Sequence, residues 1–206
     1  MDSDNKPTKI SDLLFTAAKK WPEQPAISFR GRTQNWLETK NRCHAAATIL
    51  QRAGVKSGDR VAFLGLNSNV CFESYYSPAI LGATMVPINY RLALREMVEC
   101  VQDCAPTVLI VDENYLTEAR QLQEACDSVK TLIACGDNTA PDGMLSYEQH
   151  INEVIRTNVY CEISPSVDDE TVITFYTGGT TGRSKGVMLS NNNFQCNTLC
   201  SIPLYR

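Results

Sequence analysis

At 206 residues, 43% of them hydrophobic, the chain can bury one ordinary core, so a single domain is expected. A net charge of −4, a pI near 5.2 and no Lys/Arg run longer than two residues exclude a nucleic-acid-binding surface. The acidic start at Met1–Pro7 is neither a signal nor a transit peptide, and no stretch nears the ~18 apolar residues of a membrane span, so a soluble, cytoplasmic protein is expected.

Ile10, Leu13, Leu14, Ala17, Ala18 and Trp21 recur at helical spacing and predict an amphipathic helix from about Ser11, stopped by Pro22. Residues 26–30 read as a short strand turned by Gly31-Arg32. A long helix is predicted over 35–53, with Asn35 and Glu38 as a capping pair and Gly54 as its stop. His44 lies inside this alanine-rich helix and reads as packing rather than chemistry. Strands at 60–66, 84–88, 107–111 and 129–134 then alternate with helices at 71–81, 92–104 and 115–126. Residues 137–151 are mixed in character, with a turn at Pro141-Asp142-Gly143. Thr171–Tyr176, β-branched and aromatic, reads as a buried central strand, and 191–201 as a helix packing behind the loop that follows it.

Strands spaced by helices of this length make right-handed βαβ units. The fold class is therefore α/β, an open, mostly parallel sheet with flanking helices. Ligands of such sheets sit beyond the carboxyl ends of the strands. Nine cysteines without a secretory signal read as reduced thiols. The pairs Cys100/Cys104 and Cys196/Cys200 fall on one helix face each and read as small, partly buried residues, because no histidine lies near enough to complete a metal site. Two histidines and no Gly-x-Ser-x-Gly elbow leave a hydrolase triad without support.

The loop Thr177-Gly-Gly-Thr-Thr-Gly-Arg-Ser-Lys-Gly186 carries the chemistry. Its glycines let backbone N–H groups close on an anion, and Thr180 and Thr181 add hydroxyl donors. Lys185 adds a mobile point charge. The spacing fits neither the Walker pattern nor the Gly-x-Gly-x-x-Gly fingerprint. A glycine-rich hairpin with Gly178-Gly179 as a plain turn would explain the glycines, but not the threonines and lysine set among them.

Tyr176 to Ser190 closely resembles the signature loop of the adenylate-forming (AMP-binding) superfamily, in the form carried by fatty-acyl and related acyl-CoA synthetases. Ser184 departs from the proline that most members place before the lysine, which frees the backbone without removing a phosphate contact. Residues 54–61, 82–89 and 106–112 resemble scaffold stretches of the same family. The resemblance implies that Thr177, Gly178, Gly179, Thr180, Thr181, Gly182 and Lys185 hold nucleotide phosphates. Lys185, Thr180 and Thr181 would be the catalytic members, and Arg183 would face solvent. It further implies ATP, Mg2+ and coenzyme A as cofactors and a small-molecule carboxylic acid, of the fatty class, as substrate. No metal ligand is assigned: Asp168 and Asp169 precede the strand and should sit at its far end.

Full-length relatives run more than twice as far, so residues 10–206 are expected to be a partial AMP-binding domain after a flexible 1–9. The acyl pocket, most CoA and magnesium contacts and the C-terminal domain would lie outside it. The alternatives are a non-catalytic remnant that binds phosphates or a partner protein, and a piece of a luciferase-like or peptide-synthetase adenylation domain.

Overall fold

Short apolar runs separated by amphipathic stretches build layers of helices on a sheet, and the computed structural model has that architecture. It describes residues 9–136, 140–165, 170–178 and 184–201. The first half comprises α1 (Ile10–Lys20), β1 (Pro25–Phe29), β2 (Arg32–Asn35), α2 (Trp36–Arg52), β3 (Arg60–Leu64), α3 (Asn69–Ile80) and β4 (Thr84–Ile88). Next come α4 (Leu94–Cys104), β5 (Val108–Asp112), α5 (Leu116–Ala125), β6 (Thr131–Cys135), β7 (Leu145–Ser146) and α6 (Tyr147–Thr157). The chain closes with β8 (Thr171–Thr177), β9 (Lys185–Ser190) and α7 (Asn191–Ser201).

Among the described residues the main sheet has the order β7-β6-β5-β3-β4-β8-β9. Its pairs are parallel except β8 with β9. Strand side chains alternate between two cores. Val61, Phe63, Met85 and Ile110 pack toward α1, α2, α3 and α6. Ala62, Leu64, Val86 and Leu109 pack toward α4 and α5. Burial on both faces is why these strands read as continuous apolar runs. The chain leaves β3 into α3 on one face, and leaves the neighbouring β5 into α5 on the other. The crevice between their carboxyl ends is therefore a topological switch point.

Local signals hold where they are chemical. Asn35 accepts from the Glu38 N–H at 2.8 Å, and Glu38 accepts from the Asn35 N–H at 2.9 Å, the reciprocal cap of α2. His44 is packing: it is half-buried between the rings of Phe15 and Tyr160, with Nε2 2.8 Å from the Cys161 carbonyl oxygen. Burial lowers its pKa from the ordinary 6.5, against the opposing pull of the Cys161 carbonyl. The unfolded chain therefore takes up this proton first. The stabilisation from a neutral His44 is fully present above pH 6.5 and is lost as the pH falls through the lowered value. Urea melts at pH 7.5 and 5.5 should show a loss of stability toward acid that His44→Gln reduces; equal slopes in the two proteins would disprove it.

A buried ionic network ties three helices together. Arg42 of α2 donates from Nε to Glu73 Oε1 at 2.6 Å and from a terminal nitrogen to Glu73 Oε2 at 3.2 Å. Its guanidinium also forks onto Glu148 of α6 at 2.6 and 3.0 Å. The Tyr147 hydroxyl donates to Glu73 Oε2 at 2.8 Å. Burial acts to lower the Arg42 pKa, but hydrogen bonds to Glu148 and the charge of Glu73 outweigh it and the net shift is upward.

The structure corrects several expectations. The strand at 171–177 is not central: β3 holds the middle of the sheet, and only β9 lies outside β8. Nor is it buried throughout, since only Val172 and Ile173 are, while Thr174 to Tyr176 are half-buried beside an edge strand. The helix at 191–201 exists, but β9 runs back from the loop, so α7 starts at the opposite end of the hairpin. There the Asn191 N–H donates to the Glu170 carbonyl at 3.1 Å, and the Ile10 N–H donates to Asn191 Oδ1 at 3.0 Å. Cys100 and Cys104 are buried as expected, whereas Cys196 and Cys200 are exposed. All nine cysteines are free.

Candidate phosphate-binding hairpin

The loop of interest leaves the carboxyl end of β8 and returns as β9, with Tyr176 opposite Gly186 and Thr177 opposite Lys185. A hairpin therefore exists, but its connection runs from 178 to 184, far longer than a Gly178-Gly179 turn. Gly179, Thr180, Thr181, Gly182 and Arg183 lie outside the described residues, as do Asp168 and Asp169. Thr177, Gly178 and Lys185 are described, and all three are exposed at the mouth of the loop. Thr177 Oγ1 donates to the Lys185 carbonyl at 3.5 Å. Among the described residues nothing stands within 4 Å of the place a Cβ on Gly178 would occupy, which leaves its backbone open on that side. The Lys185 ammonium has no hydrogen-bond or ion-pair partner among the described residues.

The β8 stem is fastened to α4. The Tyr176 hydroxyl donates to Asp103 Oδ2 at 2.6 Å. Burial raises the Cys100 pKa on the same helix, and the Ser184 side chain acts to lower it. Burial and then the Asp103 hydrogen bond raise the Tyr176 pKa well above the usual phenol range, so the ring stays protonated and donating. Burial likewise pushes the neighbouring Cys104 thiol up to about 12, which keeps it neutral and unreactive. Gly186 lets β9 lie against these groups: a Cβ there would come within 3.0 Å of Thr174 Cγ2 and 3.4 Å of the Tyr176 ring. Among the described residues no group of three His, Cys, Asp or Glu side chains is placed to hold a metal ion. The residues described here supply a cation and an open backbone for an anion, and no resident metal cage.

The profile of the family described as AMP-binding enzyme matches residues 14–205. The chain belongs to that family. This AMP-binding family chain is 32% identical over 198 residues to an indoleacetate–CoA ligase of Aromatoleum aromaticum, covering 96% of the chain and 38% of the relative. It is 29% identical over 187 residues to the fatty acid–[acyl-carrier-protein] ligase ScoC of Streptomyces coeruleorubidus, covering 91% and 34%. The solved structure of the anthranilate CoA ligase AuaEII with anthranoyl-AMP superposes with a TM-score of 0.84 at 22% identity, over 95% of the chain and 38% of that protein. At that identity the superposition bears on the fold. The chain thus spans a little over a third of the length of the relatives it matches.

Within this AMP-binding family chain, the described site residues Thr177, Gly178 and Lys185 come together at one end of one hairpin. Sequence reading missed the groups that fasten it. Asp103 lies 73 residues from Tyr176, and no local signal links them.

No helix among the described residues is long and apolar enough to cross a membrane.

Proposed function

We propose that residues 10–206 are the N-terminal part of an ATP-dependent acid–thiol ligase, and that the 177–186 loop holds the outer phosphates of ATP. One observation carries this reading: an exposed Lys185, without an ion-pair partner among the described residues, faces Thr177 across the mouth of a glycine-rich connection, at the carboxyl edge of a mostly parallel sheet. In the reaction a carboxylate oxygen attacks the α-phosphorus of ATP, the bond to pyrophosphate breaks, and an acyl-adenylate forms. The thiol of coenzyme A then adds at the acyl carbon and expels AMP. The chain's own part is electrostatic. Lys185, Thr180, Thr181 and the N–H groups of Thr177, Gly178, Gly179 and Gly182 neutralise charge on the departing pyrophosphate. Magnesium would add positive charge at the phosphates, and no described residue of this chain is assigned to hold it.

A fatty acid is the substrate class proposed, with aromatic acids as the comparison set because the relatives' names include both. The test is exchange of labelled pyrophosphate into ATP in the presence of single acids. Exchange that requires a medium- or long-chain fatty acid is expected from a protein that joins this chain to the remaining length of its relatives. Residues 1–206 alone should give none, since they span little more than a third of the length of those relatives. ATP binding without exchange under any acid would support a phosphate-binding remnant and overturn the ligase reading.

A further inference from the structure

Past Ile173 the β8–β9 hairpin has little backbone support. Among the described residues β4 meets β8 in register at Met85 and Ile173, and from Thr174 to Thr177 β8 pairs with β9 alone. No described strand lies outside β9. A two-stranded ribbon is marginal in water unless something packs against it. Its last two rungs are Tyr176 with Gly186 and Thr177 with Lys185, the second of which forms the mouth. The side chains of that rung add only the long 3.5 Å contact from Thr177 Oγ1 to the Lys185 carbonyl.

The rung below the mouth is tied down. Tyr176 packs toward the core under α4 and α5, and its ring lies against the bare backbone of Gly186, where a Cβ would come 3.4 Å from Cζ. Its hydroxyl donates to Asp103 Oδ2 at 2.6 Å. Asp103 is the penultimate residue of α4, where the helix dipole disfavours a carboxylate and no basic residue in the last turn offsets it. Its carboxylate has no ion pair among the described residues, and Tyr176 is its hydrogen-bond partner. The hairpin, rather than the helix, explains an acid at this position. Charge and position predict opposite effects here. A carboxylate close to an anion site repels the anion, so by charge alone Asp103 would weaken phosphate binding. Acting through Tyr176, it would strengthen that binding by holding the ribbon in place.

We propose that Asp103 is a positioning residue of the phosphate site: through the Tyr176 hydroxyl it fixes the Tyr176–Gly186 rung, and so holds Thr177 and Lys185 at the spacing an oligophosphate needs. This rests on the reading of the 177–186 loop as the holder of ATP phosphates. Calorimetric titration of the 206-residue chain with sodium tripolyphosphate at low salt tests the two separately. Lys185→Ala should weaken binding about tenfold or more, as loss of a charged contact does. Asp103→Ala and Tyr176→Phe should each weaken it about fivefold, the worth of one hydrogen bond. The double variant should bind no worse than either single one, because both remove the same bond. Asp103→Asn keeps an acceptor without the charge, and should bind at least as tightly as the unchanged protein. Asp103→Ala should leave the melting temperature in place, since Asp103 is exposed. Unchanged or tighter binding in Asp103→Ala, beside a loss in Lys185→Ala, would overturn the positioning role and leave the phosphate loop standing. So would additive losses in the double variant, or a melting temperature that falls in Asp103→Ala. Tripolyphosphate that does not bind, or binds regardless of Lys185→Ala, would remove the phosphate loop and this role with it.

Discussion

Glu73→Ala should cost the folded protein about 3–5 kcal/mol, the range for removing one partner of a buried ion pair. Glu73 is fully buried on α3 and serves donors on α2 and α6 at once. Its loss strips Arg42 of two charge-assisted hydrogen bonds, leaves the buried Tyr147 hydroxyl unpartnered, and opens a void between three helices. Against a total stability of about 5–15 kcal/mol, that is a large share. At roughly 2–4 °C per kcal/mol for a chain of this size, the melting temperature should fall by about 6–20 °C. The double variant Arg42→Met with Glu73→Leu should be less damaging than Glu73→Leu alone, because it leaves no uncompensated charge inside. Glu148 can turn to water there, being 26% exposed. Thermal melts of the three variants decide the matter. A loss below ~1 kcal/mol in Glu73→Ala would show that the network does not hold these helices together.

That network was invisible in the sequence for a physical reason. Arg42 meets Glu73 across 31 residues and Glu148 across 106, and neither separation leaves a periodic trace. What could be read was whatever a short stretch dictates by itself. The runs that became β3, β4, β5 and β6 are apolar on both faces, and only a two-sided sheet buries such runs. Elements missed were those defined by a partner. Arg32-Thr-Gln-Asn35 has no apolar residue and is a strand only because the Arg30-Gly31 turn folds it onto β1. Lys185–Ser190 has no alternation of burial and owes its strand to pairing with β8. In α6, Tyr147, Ile151 and Val154 do fall at helical spacing, but three buried positions behind a Pro-Asp-Gly turn make a narrow stripe.

The phosphate site divides along the same line. Its residue types, glycines with hydroxyls and a cation, state their chemistry in ten consecutive positions. What places the loop does not: Tyr176 needs Asp103, on a helix that sequence treats as scaffold. The return of the chain as an antiparallel strand sets Lys185 across from Thr177, rather than farther along an open loop.

Lys185→Ala should depress acid-dependent pyrophosphate exchange at least tenfold in a form of the protein that supports exchange. Tenfold corresponds to about 1.4 kcal/mol of transition-state stabilisation, well inside what one preorganised donor supplies. The ammonium is a point charge on a flexible stem, so it can follow charge as it moves onto the leaving pyrophosphate. Its effect should therefore fall mainly on kcat, with a smaller change in KM for ATP, since the charge it meets grows during bond breaking. Lys185→Arg keeps the charge but changes its shape, and should recover part of the lost rate. The fold should be indifferent to both changes, because Lys185 is exposed and its ammonium unpartnered among the described residues. Exchange that proceeds normally in Lys185→Ala, at unchanged melting temperature, would remove this lysine from the chemistry while leaving the α/β scaffold as it stands.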